Sequence, residues 1–412
     1  MKIRTPDYYD RFKCIAGACE DTCCAGWQVD VDDDTYEYYR KLTGPFGDRL
    51  HSVMIEPTKK AEGQFAIREN GRCPFLNDDN LCDLITELGE EALCVTCDQY
   101  PRYTTEFGNL RETGIALSCK TAAELILRED RRAGFTEYED PNRFPSLNEI
   151  DGSRYLGVMA AREKAFALLA DRSCSIWQRL CLLLYFATDI QKTMKHPERM
   201  RDVAARYDRA YCEGALKAAR SERPDDRSLL ELYDLYFYHY LSRTIIKKEW
   251  PELVRCVYRE LYELPAPWEA RASEMKAIFK KRRRTGRYPE LGDKLRDFLA
   301  AYERSYEFEN LAVYFTFRYF ARGILDGDVL TKVKMGIVSI LMILSCDAAR
   351  YMSKGSLEFT DQVEITHLYS REVEHSEENF AALCKLMAHR REFSDRNLVG
   401  LLQTCVPDRT EG

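Results

Sequence analysis

Phe12-Lys13-Cys14-Ile15-Ala16-Gly17-Ala18-Cys19-Glu20-Asp21-Thr22-Cys23-Cys24-Ala25-Gly26-Trp27 begins a series of nine cysteines that continues with Cys73, Cys82, Cys94, Cys97 and Cys119. The chain holds 16 cysteines in 412 residues, so even spreading would place about five in this region. Thiolates are soft ligands, and Cys94-x2-Cys97 lets one short loop present two sulfurs to a single site. Gly44-Pro45, Asn70-Gly71, Asn77-Asp78-Asp79-Asn80 and Gly108-Asn109 punctuate the same region with turns. The pattern predicts a loop-rich domain organised around bound metal rather than around a greasy core.

Only His51 of the six histidines falls in this region, so its site is nearly all sulfur. All-thiolate sites suit iron-sulfur clusters or structural zinc. A zinc ribbon wants two Cys-x2-Cys knuckles, and only Cys94-x2-Cys97 is one. The adjacent Cys23-Cys24 fits one zinc ion poorly, because neighbouring side chains diverge in an extended chain. Ligand preference therefore favours iron-sulfur over zinc, and the clustering weighs against nine unmetallated thiols. Cys174, Cys181, Cys212, Cys256, Cys346, Cys384 and Cys405 share no spacing and read as small buried residues. His239 and His367 read as core or surface groups, since no second ligand stands at helical spacing.

Thr121-Ala-Ala-Glu124 matches a capping box and predicts a helix beginning just after Cys119. A polar connector with Pro141 and Pro145 follows, and from Tyr155 the periodicity is helical almost throughout. Ile176, Leu180, Leu183, Leu184, Ala187 and Ile190 trace one helix face that His196-Pro197 terminates, and Ser228-Leu-Leu-Glu231 opens a further helix. More helical stretches run near 252–263, 269–284, 291–304, 308–323, 330–352, 359–370 and 376–392. No alternation requires a large sheet. The expected fold is mainly α: a loop-rich, Cys-cluster metal-binding domain over 1–125, a connector over 126–152, and a larger all-helical domain over 153–412.

With 61 basic and 68 acidic residues the net charge is −7, so no global positive field favours nucleic acid or an anionic membrane. The N-terminal residues lack the apolar core of a signal peptide, and the longest apolar stretch, Gly336–Cys346, is about half a membrane span. A cytoplasmic protein is expected, with no nucleic-acid or membrane partner; its cysteines then need another purpose than disulfides.

The first cysteine run, then Cys73-Pro74-Phe75-Leu76 with Leu81-Cys82, then Leu93-Cys94-Val95-Thr96-Cys97-Asp98-Gln99-Tyr100-Pro101-Arg102, resembles the flagellin lysine-N-methylase family. More distantly, these elements look like the zinc- or iron-chelating domain family. The resemblance implies a protein that transfers methyl groups from S-adenosylmethionine to surface lysines of flagellin and carries a 4Fe-4S cluster on N-terminal cysteines. The residues that carry over are Cys14, Cys19, Cys23, Cys24, Cys73, Cys82, Cys94, Cys97 and Cys119.

No Gly-x-Gly turn or strand-helix alternation marks a Rossmann-like donor site, and the Cys-x3-Cys-x2-Cys of radical enzymes is missing. A lysine amine must lose its proton before it attacks a methyl sulfonium, which calls for a base or a desolvating wall. Asp30 is a candidate to attract the ammonium, with Trp27 packing on donor or amine; the same acidic run, Asp30 to Asp34, also reads as a solvated turn feeding a helix cap. Tyr100, a candidate catalytic residue, and Arg102 follow directly on the Cys94-x2-Cys97 knuckle. Arg102 is a candidate partner for the donor's carboxylate, and the alternative is that Tyr100 shapes the loop while Arg102 offsets thiolate charge. Lys280-Lys-Arg-Arg-Arg284 reads as a solvated helix end. The active cleft is expected where the cysteine loops meet the helical body. The competing function is a non-catalytic or redox iron-sulfur, or zinc, protein that grips a partner.

Overall fold

The computed structural model describes residues 1–26, 29–59, 61–131, 134–221, 249–263, 291–374 and 377–406. Trp27, the Ser228 capping box, the 269–284 stretch and the Lys280–Arg284 run lie outside them.

The N-terminal part runs β1 (Lys2–Pro6), β2 (Asp30–Val31), α1 (Asp33–Lys41), α2 (Pro45–Val53), β3 (Met54–Ile55), β4 (Gly63–Phe65), α3 (Asp83–Leu88), α4 (Val95–Gln99), β5 (Arg102–Phe107), β6 (Leu110–Ile115), α5 (Lys120–Leu127) and β7 (Phe135–Glu139). Asp32 caps α1 by accepting from the Thr35 amide at 3.0 Å, so the acidic run does feed a helix cap. The other Asp32 oxygen accepts from the Val95 amide at 2.9 Å and ties α1 to α4. Gly63 lets β4 pass beneath Tyr36; a Cβ there would stand 2.3 Å from the ring.

Two sheets form. A small one has the order β2-β4-β3, and a four-stranded one has β5-β6-β1-β7, with β1 parallel to β6 and antiparallel to β7. Ile3 stands between Arg111 and Tyr138 in that register. The larger sheet departs from the sequence expectation, and β7 lies within the stretch read as a connector. The reason is physical: β1 finds its partners more than a hundred residues away, and Phe135-Thr-Glu-Tyr-Glu139 is a largely exposed edge strand with no alternation to announce it.

The helical body comprises α6 (Gly152–Ala170), α7 (Ile176–Lys192), α8 (Met200–Arg206), α9 (Arg209–Ala219), α10 (Glu249–Tyr262), α11 (Leu291–Ala301), α12 (Tyr306–Tyr319), α13 (Gly323–Asp326), α14 (Val329–Lys354), α15 (Phe359–Val373), α16 (Glu377–His389) and α17 (Asp395–Thr404). Ser175 and Gln178 close a capping box on α7, whose predicted apolar face from Ile176 to Ile190 is buried. α14 is the axis of the body, packed by α7, α10, α12, α15 and α16. It is long and apolar enough to cross a membrane, with a mean hydropathy of 1.8, but 89% of that window is buried within the protein. This is the signature of a central core helix.

The apolar core divides unexpectedly. Phe12, Phe107, Leu110, Ile115 and Leu117 belong to the same core as the helices, so the four-stranded sheet is built onto the helical body. A buried pair pins the two together: Arg162 of α6 grips Glu112 of β6 through two donors, one at 2.6 Å. A separate small core gathers Val29, Val31, Tyr36, Tyr39, Leu50, Phe65, Phe75, Leu84 and Cys94. That lobe carries most of the cysteine loops.

Candidate cysteine-rich site

The first cysteine segment is a loop with short 3-10 turns at Tyr9–Arg11 and Ala16–Ala18. It is laced to the second segment by main-chain bonds, Cys73 N to Cys24 O at 2.8 Å and Gly26 N to Gly71 O at 2.9 Å. A bridge between Leu76 and Cys82 then folds the second segment back on itself. Asn77 organises the turn between them, its Oδ1 accepting from the amides of Asp79 and Leu81. Arg72 closes it by donating to Asn77 O and Asn80 Oδ1.

Three cysteines stand at helix starts: Cys82 before α3, Cys94 before α4 and Cys119 before α5. The helix after Cys119 is the one expected from Thr121, which is not itself the cap. None of these thiols closes a cap hydrogen bond. Burial pushes the thiols of Cys73 and Cys119 up, to about 12 and about 11, while nearby backbone amides pull the other way. Cys23 with Cys24, and Cys94 with Cys97, form two sulfur-sulfur contacts in which one thiol of each pair holds its proton and the other gives it up more easily. Cys94 also faces the Asp30 carbonyl at 3.6 Å.

Among the described residues no three His, Cys, Asp or Glu side chains lie close enough together to hold a metal ion as they are placed. The donor set nonetheless suits a thiolate-bound centre in kind. The nine cysteines carry no disulfide, and their neighbours include backbone amides, guanidinium groups and the carboxylates of Asp21, Asp32 and Asp83.

The helical body reaches this loop through α15. Asp21 pairs with the buried His367, and Arg371, one turn on, donates from Nη2 to Ala25 O at 3.1 Å and Thr22 O at 3.5 Å. Its Nε and Nη1 have no hydrogen-bond partner among the described residues. His367 is buried, in line with its reading as a core group, and its ring also docks the cysteine loop through Asp21. His367 and Arg371 stand four apart on one face of α15, and only the fold sets that face against Asp21. Lys120 at the start of α5 adds a second tie, to Glu20 at 2.7 Å.

Of the other candidates, Asp30 lies on β2, with its carboxylate accepting from Gln64 Nε2 at 2.7 Å. Tyr100 is largely buried, donates to Ser118 O at 2.7 Å, and is raised above its ordinary pKa by burial. Arg102 stacks 5.5 Å from the centre of the Phe12 ring and hydrogen-bonds Tyr9. These three sit on different elements, each already engaged with a neighbour.

A cleft of about 730 Å³ opens where the large sheet meets the helices. Thr104, Thr105 and Glu106 of β5 form one wall; Arg322, Asp326, Lys332 and Phe380 form the other. Glu106 pairs with Arg111 and Asp326 with Lys332. Arg322 lies 5.3 Å from the Tyr319 ring and pairs with no carboxylate among the described residues. Tyr319 stacks on Phe380 at 4.8 Å, which sets a flat aromatic face at the cleft wall. A volume of this order accommodates a cofactor-sized molecule.

Residues 162–401, from within α6 to within α17, match the FliB lysine N-methylase C-terminal domain. The chain is 27% identical over 141 residues to the lysine-N-methylase of Salmonella typhimurium strain LT2, which covers 33% of this chain and 35% of that protein. The corresponding figures for the lysine-N-methylase of Salmonella choleraesuis are 26% over 141 residues, 33% and 35%. The flagellar biosynthetic protein FliU of Salmonella muenchen is 27% identical over 133 residues, covering 31% of this chain and 79% of that protein. The match thus spans about a third of the length of the two lysine-N-methylases. No solved structure matches the chain.

Proposed function

Because the chain belongs to the FliB lysine N-methylase family, we propose that it is a protein lysine N-methyltransferase that modifies surface lysines of flagellin with S-adenosylmethionine, dependent on a 4Fe-4S cluster held by its N-terminal cysteines. The observation that carries the reading is the family match across the helical body. The names of the relatives, lysine-N-methylase and flagellar biosynthetic protein, support the reaction and the flagellar substrate.

The cleft between β5 and the helices is our candidate for the reaction site. Its two carboxylates, Glu106 and Asp326, each already paired with a cation, offer their remaining oxygen lone pairs to the substrate lysine, and Arg322 faces the donor's carboxylate. The flat face of Phe380 serves the donor's adenine ring. In the transfer the lysine nitrogen forms a bond to the methyl carbon as the carbon-sulfur bond breaks, and the donor leaves as a neutral thioether. The lysine proton passes to a cleft carboxylate and on to solvent.

The residues read earlier as catalytic and donor-binding take supporting parts in this proposal. Asp30 and Tyr100 hold the segments that flank Cys94 and Cys97, and Arg102 fixes the first cysteine segment through Phe12 and Tyr9. Trp27 stays assigned to the donor on sequence grounds alone. An iron-sulfur cluster, if bound by the N-terminal cysteines, would supply a redox centre. The buried Arg371, whose Nε and Nη1 have no hydrogen-bond partner among the described residues, would offset the negative charge that such ligation creates. Transfer of labelled methyl from S-adenosylmethionine to purified flagellin tests the function; label that stays on the donor would leave a partner-binding metalloprotein instead.

A further inference from the structure

Three consecutive residues of β5, Thr104, Thr105 and Glu106, line the cleft. Side chains along a strand alternate between its two faces, so a cavity lined by three in a row faces the edge of the strand rather than one face of the sheet. β5 is the outer strand of the order β5-β6-β1-β7 and pairs on one side only, with β6. Its register runs unbroken from Arg102 opposite Ile115 to Phe107 opposite Leu110, so no bulge turns the edge away. Residues 102–107 also hold no lysine and no proline of the kind that blunts a free edge.

The hairpin turn fixes which main-chain groups point into the cleft. Gly108, at a φ of 58°, and Asn109 join β5 to β6 as a two-residue turn, and its closing pair, Phe107 and Leu110, is a hydrogen-bonded one. Pairs alternate along an antiparallel ladder, so Thr105 and Tyr103 also bond to β6, whereas Thr104 and Glu106 fall in the pairs between. The hydroxyls of Thr104 and Thr113, 3.3 Å apart across the strands, agree with the close side-chain approach of such a pair. The N–H and C=O of Thr104 and Glu106 therefore point away from β6, and among the described residues no main-chain hydrogen bond outside the ladder reaches either one.

We propose that the β5 edge is the docking strand for the substrate polypeptide: a segment carrying the target lysine enters the cleft extended and pairs with β5 as an added strand. The inference rests on the reading of the cleft as the reaction site and deepens it by naming the conformation in which the substrate enters. Strand addition draws affinity from main-chain hydrogen bonds and selects through the side chains at alternate positions. A residue of the added strand opposite Glu106 stands on the same face, with its Cβ about 5 Å from that of Glu106. A lysine in that place lies beside a carboxylate of opposite charge.

The surroundings of the edge suit a polypeptide. Ser146 N donates to Gly108 O at 2.9 Å and pins the segment before α6 to the β5–β6 turn. Asn148 of that segment lines the cleft, and Leu147, between the two, is 99% exposed. Leu325 of α13 lines the cleft from the other side and is also exposed. These leucines, from separate parts of the chain, offer apolar contact to the residues that flank the lysine. The wall of Arg322 and Phe380 stays free for the donor, so lysine and methyl group meet from opposite sides.

The test is residue-resolved amide hydrogen exchange on the full chain, with and without purified flagellin and in the absence of methyl donor. In the free protein the amides of Thr104 and Glu106 should exchange faster than those of Tyr103 and Thr105, and bound flagellin should slow them by about tenfold or more. Thr104→Pro removes an outward N–H without taking a bond from the ladder, so circular dichroism should be unchanged while affinity for flagellin falls about tenfold. Leu147→Ser should weaken binding as well, and Tyr138→Ser, on the opposite edge of the sheet, should not. If Thr104→Pro does not fold, exchange in the native protein and Leu147→Ser still decide. Flagellin that binds while Thr104 and Glu106 keep exchanging fast would overturn the proposal, and methyl transfer in that sample would leave the methyltransferase reading intact. Protection by flagellin without transfer would do the reverse. Protection that appears with rising protein concentration alone would assign the edge to a second copy of the chain and overturn the proposal. Native protein that binds no flagellin would overturn both.

Discussion

Arg371 of α15 and Ala25 of the first cysteine loop are joined by a hydrogen bond of 3.1 Å, donated by a guanidinium that is fully buried. Through it the helical body holds the first cysteine loop. Replacing Arg371 with Met removes the donors and leaves Asp21, Thr22 O and Ala25 O facing an apolar group. The cost expected for breaking a buried ionic contact is about 3–5 kcal/mol. Hydrogen exchange should show residues 14–26 losing protection while α14 keeps its own. Lysine at this position should rescue only in part, since it lacks the planar fork. Unchanged exchange in Arg371→Met would mean that the loop is held by its other ties.

Glu112→Gln tests the joint between the large sheet and the helices. Arg162 is fully buried and depends on that carboxylate for its charge. The substitution should lower stability by roughly 3 kcal/mol in denaturant titration, and the double change Glu112→Gln/Arg162→Met should recover part of it. Strict additivity of the two single changes would show that the pair does not interact.

Acid sensitivity should include a contribution from Asp361 near the start of α15. Burial alone would raise its carboxyl, but the hydrogen bond from Lys354, the Glu358 amide and the charge of Arg350 together hold it below the ordinary value. A folded pKa below the unfolded one, about 3.9, gives stability that is present at neutral pH. That stability is lost as the pH falls through the depressed folded value. Asp361→Asn should flatten this part of the stability profile in chemical denaturation between neutral and acid pH. An identical profile would exclude the group as a source of acid sensitivity.

Arg322→Ala should weaken binding of S-adenosylmethionine in calorimetry by about 1.5–3 kcal/mol, the size of a charge-assisted hydrogen bond. Arg102→Ala, which disturbs Phe12 and Tyr9, should change affinity much less. The reverse ranking would move the donor from the cleft to the neighbourhood of Phe12 and Tyr9.

Cysteine spacing and helical periodicity are local properties, and they were legible. The apolar face of α7, the cap at Asp32 and the helix start after Cys119 all follow from residues within a few positions of one another. The four-stranded sheet was not, because β1 pairs with strands more than a hundred residues away and its edge strand is mostly polar. The same holds at the candidate site. Cys94 and Cys97 announce themselves, whereas Arg371 is one arginine among many until the fold sets it 3.1 Å from Ala25 O. Arg322 is likewise ordinary in sequence, and only its half-buried place on the cleft wall separates it from other cations.

The central claim is methyl transfer to flagellin lysines, and intact-mass spectrometry of flagellin reads it directly. Purified flagellin is incubated with S-adenosylmethionine and either the metal-loaded protein or protein stripped of metal, and the mass is then measured. The account predicts a ladder of single-methyl increments with loaded protein, mapped by peptide analysis to surface lysines, and no ladder with stripped protein. An unshifted flagellin mass after incubation with fully loaded, donor-binding protein would contradict it.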